Sequence, residues 1–342
     1  MRKVLVTGGT GYIGSHTVVE LQNSGYEPVI VDNLCNSSAS IIDNIAKITG
    51  KKPAFEKVDC CDYESMDKVF AKYGDIEAII HFAAYKAVGE SCAKPLEYYE
   101  NNLMSLINLL KLMPKYGVKG IVFSSSCTVY GQPDIVPVNE QSPIKPANCP
   151  YGNTKQISEE IIRDTITSGS PIKSILLRYF NPIGAHPTSL IGELPNGVPL
   201  NLVPYITQTA IGIREKLSVF GDDYNTPDGS CIRDYIDVVD LAKAHVLAIS
   251  RMLDKDSDKV EVFNLGTGNG VSVLELVKEF EKSTGVTLNY QIVDRRPGDV
   301  EQVYADCKKA NKILGWKATT PLDETLNNAW NWQKKLREDG IM

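Results

Sequence analysis

The chain has 342 residues, 43% of them hydrophobic and 23% charged, with a formal net charge of −6. That is ample apolar material for one large or two smaller cores. No Lys/Arg cluster interleaved with aromatics marks a nucleic-acid surface, and no apolar run reaches membrane-spanning length, so neither nucleic acid nor membrane is an expected partner. The start runs from Arg2-Lys3 straight into Val4-Leu5-Val6, too short for a signal-peptide core, and a cytoplasmic protein is expected. Eight cysteines without Cys-x-x-Cys spacing and four unpaired histidines point to reduced thiols and no metal site.

In chain order, short apolar runs at 3–7, 27–31, 54–58, 78–82, 120–124 and 172–178 alternate with helical patterns at 15–24, 66–73, 105–116 and 152–167. This alternation predicts an α/β chain built as a Rossmann-type doubly wound parallel sheet. After Asn181 the sequence turns Pro- and Gly-rich as far as Pro204, then gives a helix at 239–252, a strand at 260–265 and a helix at 273–284. The division expected is a first domain over 1–180, also receiving part of 235–265, and a smaller C-terminal substrate domain over 181–342.

Between the first strand and the first helix, Gly8, Gly11 and Gly14 stand at Gly-x-x-Gly-x-x-Gly spacing. Glycines there allow a tight turn and close approach of backbone to a pyrophosphate lying at the helix N-terminus. Asp32 ends the second strand at the separation expected for an acid that hydrogen-bonds a ribose 2′-hydroxyl, which favours NAD over NADP; capping the following turn is the other reading. Asp59, and Phe82-Ala83-Ala84, follow two further strands where the fold places cofactor contacts, although the alanines also suit simple packing.

Ser126 closes the fifth apolar run, and Tyr151 and Lys155 follow four residues apart, on one helical face. An ammonium beside the phenol, together with the positive charge of a nicotinamide, would lower the phenol's pKa and make it a usable base. Tyr304 and Lys308 share the spacing but lack a serine at a preceding strand end. A serine, tyrosine and lysine beside a nicotinamide imply hydride transfer at a secondary alcohol carbon.

The runs 6–16 (VTGGTGYIGSH), 32–37 (DNLCNS), 86–91 (KAVGES), 94–99 (KPLEYY) and 178–187 (RYFNPIGAHP) resemble the UDP-glucose 4-epimerases of the extended short-chain dehydrogenase/reductase family, over nearly the whole chain. The resemblance implies catalysis by Ser126, Tyr151 and Lys155 with NAD as cofactor. It implies NAD contacts from Tyr12, Ile13, Asp32, Asn33, Leu34, Cys35, Asn36, Ser37, Asp59, Cys60, Phe82, Ala83, Ala84, Lys86, Asn101 and Phe180. Contacts to a UDP-hexose substrate are implied for Lys86, Asn181, Asn201, Leu202, Ser218, Val219, Phe220, Arg233, Val303 and the stretch from Arg296 to Asp299, and the assembly implied is a homodimer. The Ser126-Cys127-Thr128 run lacks the Asp-Glu pair with which related 4,6-dehydratases eliminate water. Val303 stands where some relatives carry tyrosine; either it leaves room for an N-acetylated sugar or it merely packs. A net oxidoreductase and a non-catalytic NAD sensor are the rival readings.

Overall fold

The computed structural model describes residues 1–296 and 299–342. Its strands are β1 Lys3–Thr7, β2 Glu27–Asp32, β3 Ala54–Lys57, β4 Ile76–His81, β5 Gly120–Ser126, β6 Lys173–Tyr179, β7 Asn181–Ile183, β8 Leu217–Phe220, β9 Ile232–Arg233, β10 Tyr235–Asp237, β11 Val260–Leu265, β12 Val271–Ser272, β13 Tyr290–Val293 and β14 Gln302–Val303. Its helices are α1 Tyr12–Asn23, α2 Ser40–Thr49, α3 Tyr63–Lys72, α4 Val88–Ala93, α5 Pro95–Lys115, α6 Pro150–Thr167, α7 Leu202–Ala210, α8 Val238–Met252, α9 Val273–Thr284 and α10 Leu322–Glu338.

A seven-stranded parallel sheet in the order β11-β6-β5-β4-β1-β2-β3 forms the centre. Its inner strands, such as β1 and β5, read as near-continuous apolar runs because both faces are covered. Val4, Val6, Ile30, Ile80 and Val122 point into one core with Val18, Val19 and Leu241, while Leu5, Val29, Ile79, Ile121 and Phe123 point into the other with Phe70, Leu109 and Ile162. The strand order reverses at β1, between β2 and β4. A crevice beyond the C-terminal ends of the strands at such a reversal is where this architecture takes its ligand.

Several helices begin earlier than the sequence suggests, α3 at Tyr63 and α6 at Pro150 among them. α1 starts at Tyr12 rather than Ser15, and α5 at Pro95 rather than Ser105, with proline in its first turn where a missing N–H costs nothing. α2, α7 and α10 were not anticipated, although each buries a recognisable stripe such as Ile41, Ile42 and Ile45.

Past β6 the chain builds short pairs: β7 with β10, β8 with β13, and β9 between β12 and β14. A third core, including Val203, Ile206, Leu217, Val219, Phe280 and Leu326, joins them to α7, α9 and α10. Fully buried Asp234 knots three segments, accepting from Thr267 N and Oγ1 (both 2.8 Å), Gly268 N (3.1 Å) and Ala305 N (3.1 Å). Among the described residues no helix is long and apolar enough to cross a membrane.

Candidate active site

The glycine turn is fixed by contact as well as conformation. Gly8 has φ +70°, and a Cβ on it would lie 2.8 Å from Ala83 N. A Cβ on Gly14 would press into the Gly8 carbonyl oxygen and lie 2.9 Å from Gly9 Cα. Gly11 caps α1 without a side-chain hydrogen bond, and the first turn of α1 carries no acidic residue, so the helix's partial positive charge meets no anion of its own. These features fit a pyrophosphate. Tyr12 leaves the turn sideways, its hydroxyl donating to Gly184 O at 2.8 Å, and Ile13 packs on the core.

Asp32, 7% exposed, accepts from Thr10 N (3.2 Å), Leu34 N (2.9 Å) and Ser37 Oγ (3.2 Å). Asp32 therefore braces the 33–37 turn, including Leu34 at φ +63°, and retains acceptor capacity beyond these three bonds, since a carboxylate offers about four lone-pair sites. Cys35 and Asn36 are exposed on that turn. Asp59 joins it from β3, accepting from Asn33 Nδ2 (2.9 Å) and Cys61 N (2.8 Å). Cys60 is buried behind it, and the Cys61 thiol donates to Asn101 O at 3.4 Å, bringing α5 to the same rim. Phe82, Ala83 and Ala84 are half-buried at the end of β4.

Ser126 ends β5, and Tyr151 and Lys155 rise from the first two turns of α6, whose Cys149 N-cap accepts from Gly152 N at 3.4 Å. Buried Lys155 donates from Nζ to Ser124 O at 2.7 Å, with Nζ 4.9 Å from the centre of the Phe123 ring and 5.9 Å from that of Tyr151. Withdrawal from solvent pulls the ammonium down to about 8, opposed by Glu159. Withdrawal from solvent pushes the Tyr151 phenol up, and the Ser126 hydroxyl opposes the rise. With Lys155 nearby, burial still holds the phenol above its ordinary range, so proximity of the ammonium does not by itself bring it to neutrality. Cys127 and Thr128 place no carboxylate here.

On the facing side, Asn181 opens β7, Asn201 caps α7 just before Leu202, and Ser218, Val219 and Phe220 belong to β8. Arg233 and Arg296 converge on Asp299, at 3.8 Å and 2.6 Å, so both guanidiniums share one carboxylate. Residues 297 and 298 lie outside the described residues. The Arg296 guanidinium lies 5.6 Å from the Phe220 ring centre. Val303, 6% exposed, packs with Val129, Tyr130, Val138 and Phe180, in register beside Arg233.

Sequence reasoning missed Glu193, which accepts from Lys86 Nζ (3.0 Å) and Asn201 Nδ2 (2.6 Å) and so ties the loop after β4 to the cap of α7. It also missed Glu159 and Arg178, a buried pair beneath Lys155. The Lys155-to-Glu159 spacing of four was the available signal for the second; Glu193 had none, because its partners are 107 and 8 residues away.

Comparison with known proteins agrees with this geometry. A family model described as GDP-mannose 4,6 dehydratase matches residues 5–329. The chain is 54% identical to a UDP-glucose 4-epimerase of Bacillus subtilis (strain 168), across 96% of each. The Bifidobacterium longum UDP-glucose 4-epimerase solved in complex with NAD+ and UDP superposes with a TM-score of 0.93, at 49% identity, over 97% of this chain and 98% of that one. A Stenotrophomonas maltophila UDP-glucose 4-epimerase with bound NAD and formylated UDP-arabinopyranose gives 0.96 at 47% identity, over 99% and 100%. With about half its residues shared along its full length, and the glycine turn and the Ser126, Tyr151, Lys155 set in place, the chain belongs to the UDP-glucose 4-epimerase family.

Proposed function

We propose that the chain is an NAD-dependent isomerase interconverting UDP-galactose and UDP-glucose through a transient 4-keto sugar. The observation that carries this is the meeting of Ser126, Tyr151 and Lys155 at the end of β5, beside a glycine turn shaped for a pyrophosphate, with no carboxylate at 127 or 128. Tyr151 accepts the proton of the sugar 4-hydroxyl and later returns it. Ser126 hydrogen-bonds the same oxygen. Lys155, anchored on the Ser124 carbonyl, presents its ammonium toward the phenol and a nicotinamide ribose. Bound NAD would supply hydride uptake from C4 and its return to the opposite face.

The glycine turn, Tyr12, Ile13, the 32–37 turn, Asp59, Cys60, Phe82 to Ala84, Lys86, Asn101 and Phe180 form the proposed NAD contacts. Arg233 and Arg296 take the UDP pyrophosphate, because guanidinium forks bind its oxygens in pairs. Asn181, Asn201, Leu202, Ser218 to Phe220 and Asp299 hold the remainder of the UDP-sugar. The division at residue 180 with a returning segment is favoured by the pairing of β11 with β6. We also infer a cytoplasmic homodimer: all eight cysteines are free, and α5 exposes Leu96 and Met104.

The test is incubation of purified protein with UDP-galactose and no added cofactor, followed by NMR beside a Tyr151→Phe control. UDP-glucose formed by the native chain only is the expected result. No conversion even with NAD supplied would refute the assignment. Turnover only with free NAD, yielding oxidised sugar, would indicate a net oxidoreductase; NAD bound without turnover would indicate a sensor.

A further inference from the structure

One turn below Lys155, on the same face of α6, Glu159 is buried and bonded on every side. Its Oε1 accepts from Ser125 Oγ at 2.6 Å and Arg178 Nε at 2.9 Å, and its Oε2 accepts from Arg178 NH2 at 2.6 Å. Ser125 lies between Ser124, whose carbonyl receives Lys155, and Ser126. Arg178 of β6 continues the network, donating to Tyr130 Oη (3.1 Å), which donates to Asn264 Oδ1 (2.7 Å) on β11. Asn264 Nδ2 donates to Val138 O (3.0 Å), and Val138 N donates to Tyr304 O (3.0 Å), next to Val303. One carboxylate thus pins the catalytic helix to the end of β5, and its partner carries the connection across the sheet.

We propose that Glu159 is a positioning residue of the proposed reaction, fixing α6 against β5 so that Lys155 reaches the Ser124 carbonyl and stays charged beside Tyr151. The groups around the ammonium leave Glu159 this role. His81 on β4 is held neutral by burial, its pKa lowered to about 3. Tyr179 on β6, bonded to Ser124 Oγ, is pushed up to about 12, while the Tyr151 phenol, raised by burial, is the group that the proposed reaction itself titrates. The charged groups remaining are the Glu159 carboxylate, the Arg178 guanidinium and Arg163, 3.6 Å from Glu159. Without the carboxylate, buried Lys155 loses the negative charge that opposes its withdrawal from solvent, and the neutral amine is favoured.

The inference rests on the reaction proposed above, but its first readout does not need turnover. In NAD-loaded protein with isotope-labelled lysine, the Lys155 amine is titrated by NMR in the parent and in Glu159→Gln, which keeps the shape and one acceptor. The expected result is a titration midpoint lower by about one pH unit or more in the variant. The second readout is the pH profile of kcat on UDP-galactose, whose alkaline limb moves down by the same interval while KM stays within about twofold. A Lys155 midpoint equal to the parent's overturns the inference, whatever happens to stability. Should Glu159→Gln fail to fold, Ser125→Ala, which removes one donor and leaves the ion pair, is measured instead. It is expected to lower kcat with KM unchanged and to shift the midpoint in the same sense; an unshifted midpoint and unchanged kcat overturn the inference. A parent without epimerase turnover refutes the proposed function, while the titration still decides the role of Glu159.

Discussion

Replacing Gly14 by alanine tests whether the glycine turn is held by contact. The added methyl would press into the Gly8 carbonyl oxygen and meet Gly9 Cα at 2.9 Å, and both are backbone, which cannot swing aside like the end of a side chain. Relief comes only by moving the 8–11 turn away from α1. Overpacking of this kind costs about 1–3 kcal/mol, which a chain of this size can absorb and still fold. The ligand site is less forgiving, since a displacement of about 1 Å in positioning groups is worth roughly a hundredfold. Gly14→Ala is therefore expected to fold, to unfold earlier in denaturant, and to lose NAD on gel filtration, its Kd by calorimetry rising about 10- to 100-fold. Gly89→Ala is the control: nothing lies within 4 Å of its added methyl in exposed α4, so NAD retention is expected to match the parent, with stability equal or slightly higher. Gly14→Ala with the parent's stability and NAD content would refute the reasoning.

Asp237 caps α8 with its carboxyl raised by burial to about 6. A raised acid is stabilised by protonation, so its ionisation costs stability above pH 6, and the cost fades as pH falls toward 4. Asp237→Asn keeps the acceptor for Val239 and Asp240 and can donate to Thr325, whose hydroxyl can still donate to Pro321 O; denaturant titrations should show a gain of up to about 3 kcal/mol at pH 8 that shrinks by pH 5. Arg178→Met strands the buried Glu159 charge and should cost about 3–5 kcal/mol in equilibrium unfolding at neutral pH. Val303→Tyr should abolish any activity on N-acetylated UDP-hexoses while sparing UDP-galactose, read as paired kcat/KM values; unchanged selectivity would leave Val303 its packing role only.

Two elements with a clear apolar pattern were readable from the sequence to the residue: the strand at 260–265 and the amphipathic helix at 273–284 have the same ends in the structure. Helix starts were harder to read, because Gly11 and Lys94 cap α1 and α5 without a side-chain hydrogen bond. The residues at the ends of β1, β2, β3, β4 and β5 were legible since their positions follow from the strands alone. What holds them in place was not. Asp234, Glu193 and the Arg178 network join segments dozens of residues apart, and neither periodicity nor spacing encodes such pairings.

The last strand added to the sheet has a consequence during synthesis. Residues 1–179 contain β1 to β6, but the outer edge of β6 stays unpaired until 260–265 have left the ribosome. Over roughly eighty residues of elongation, several seconds at ordinary translation rates, a nascent chain carries an apolar strand with open N–H and C=O groups. That interval is when a chaperone would hold this chain, and when two nascent copies would join edge to edge.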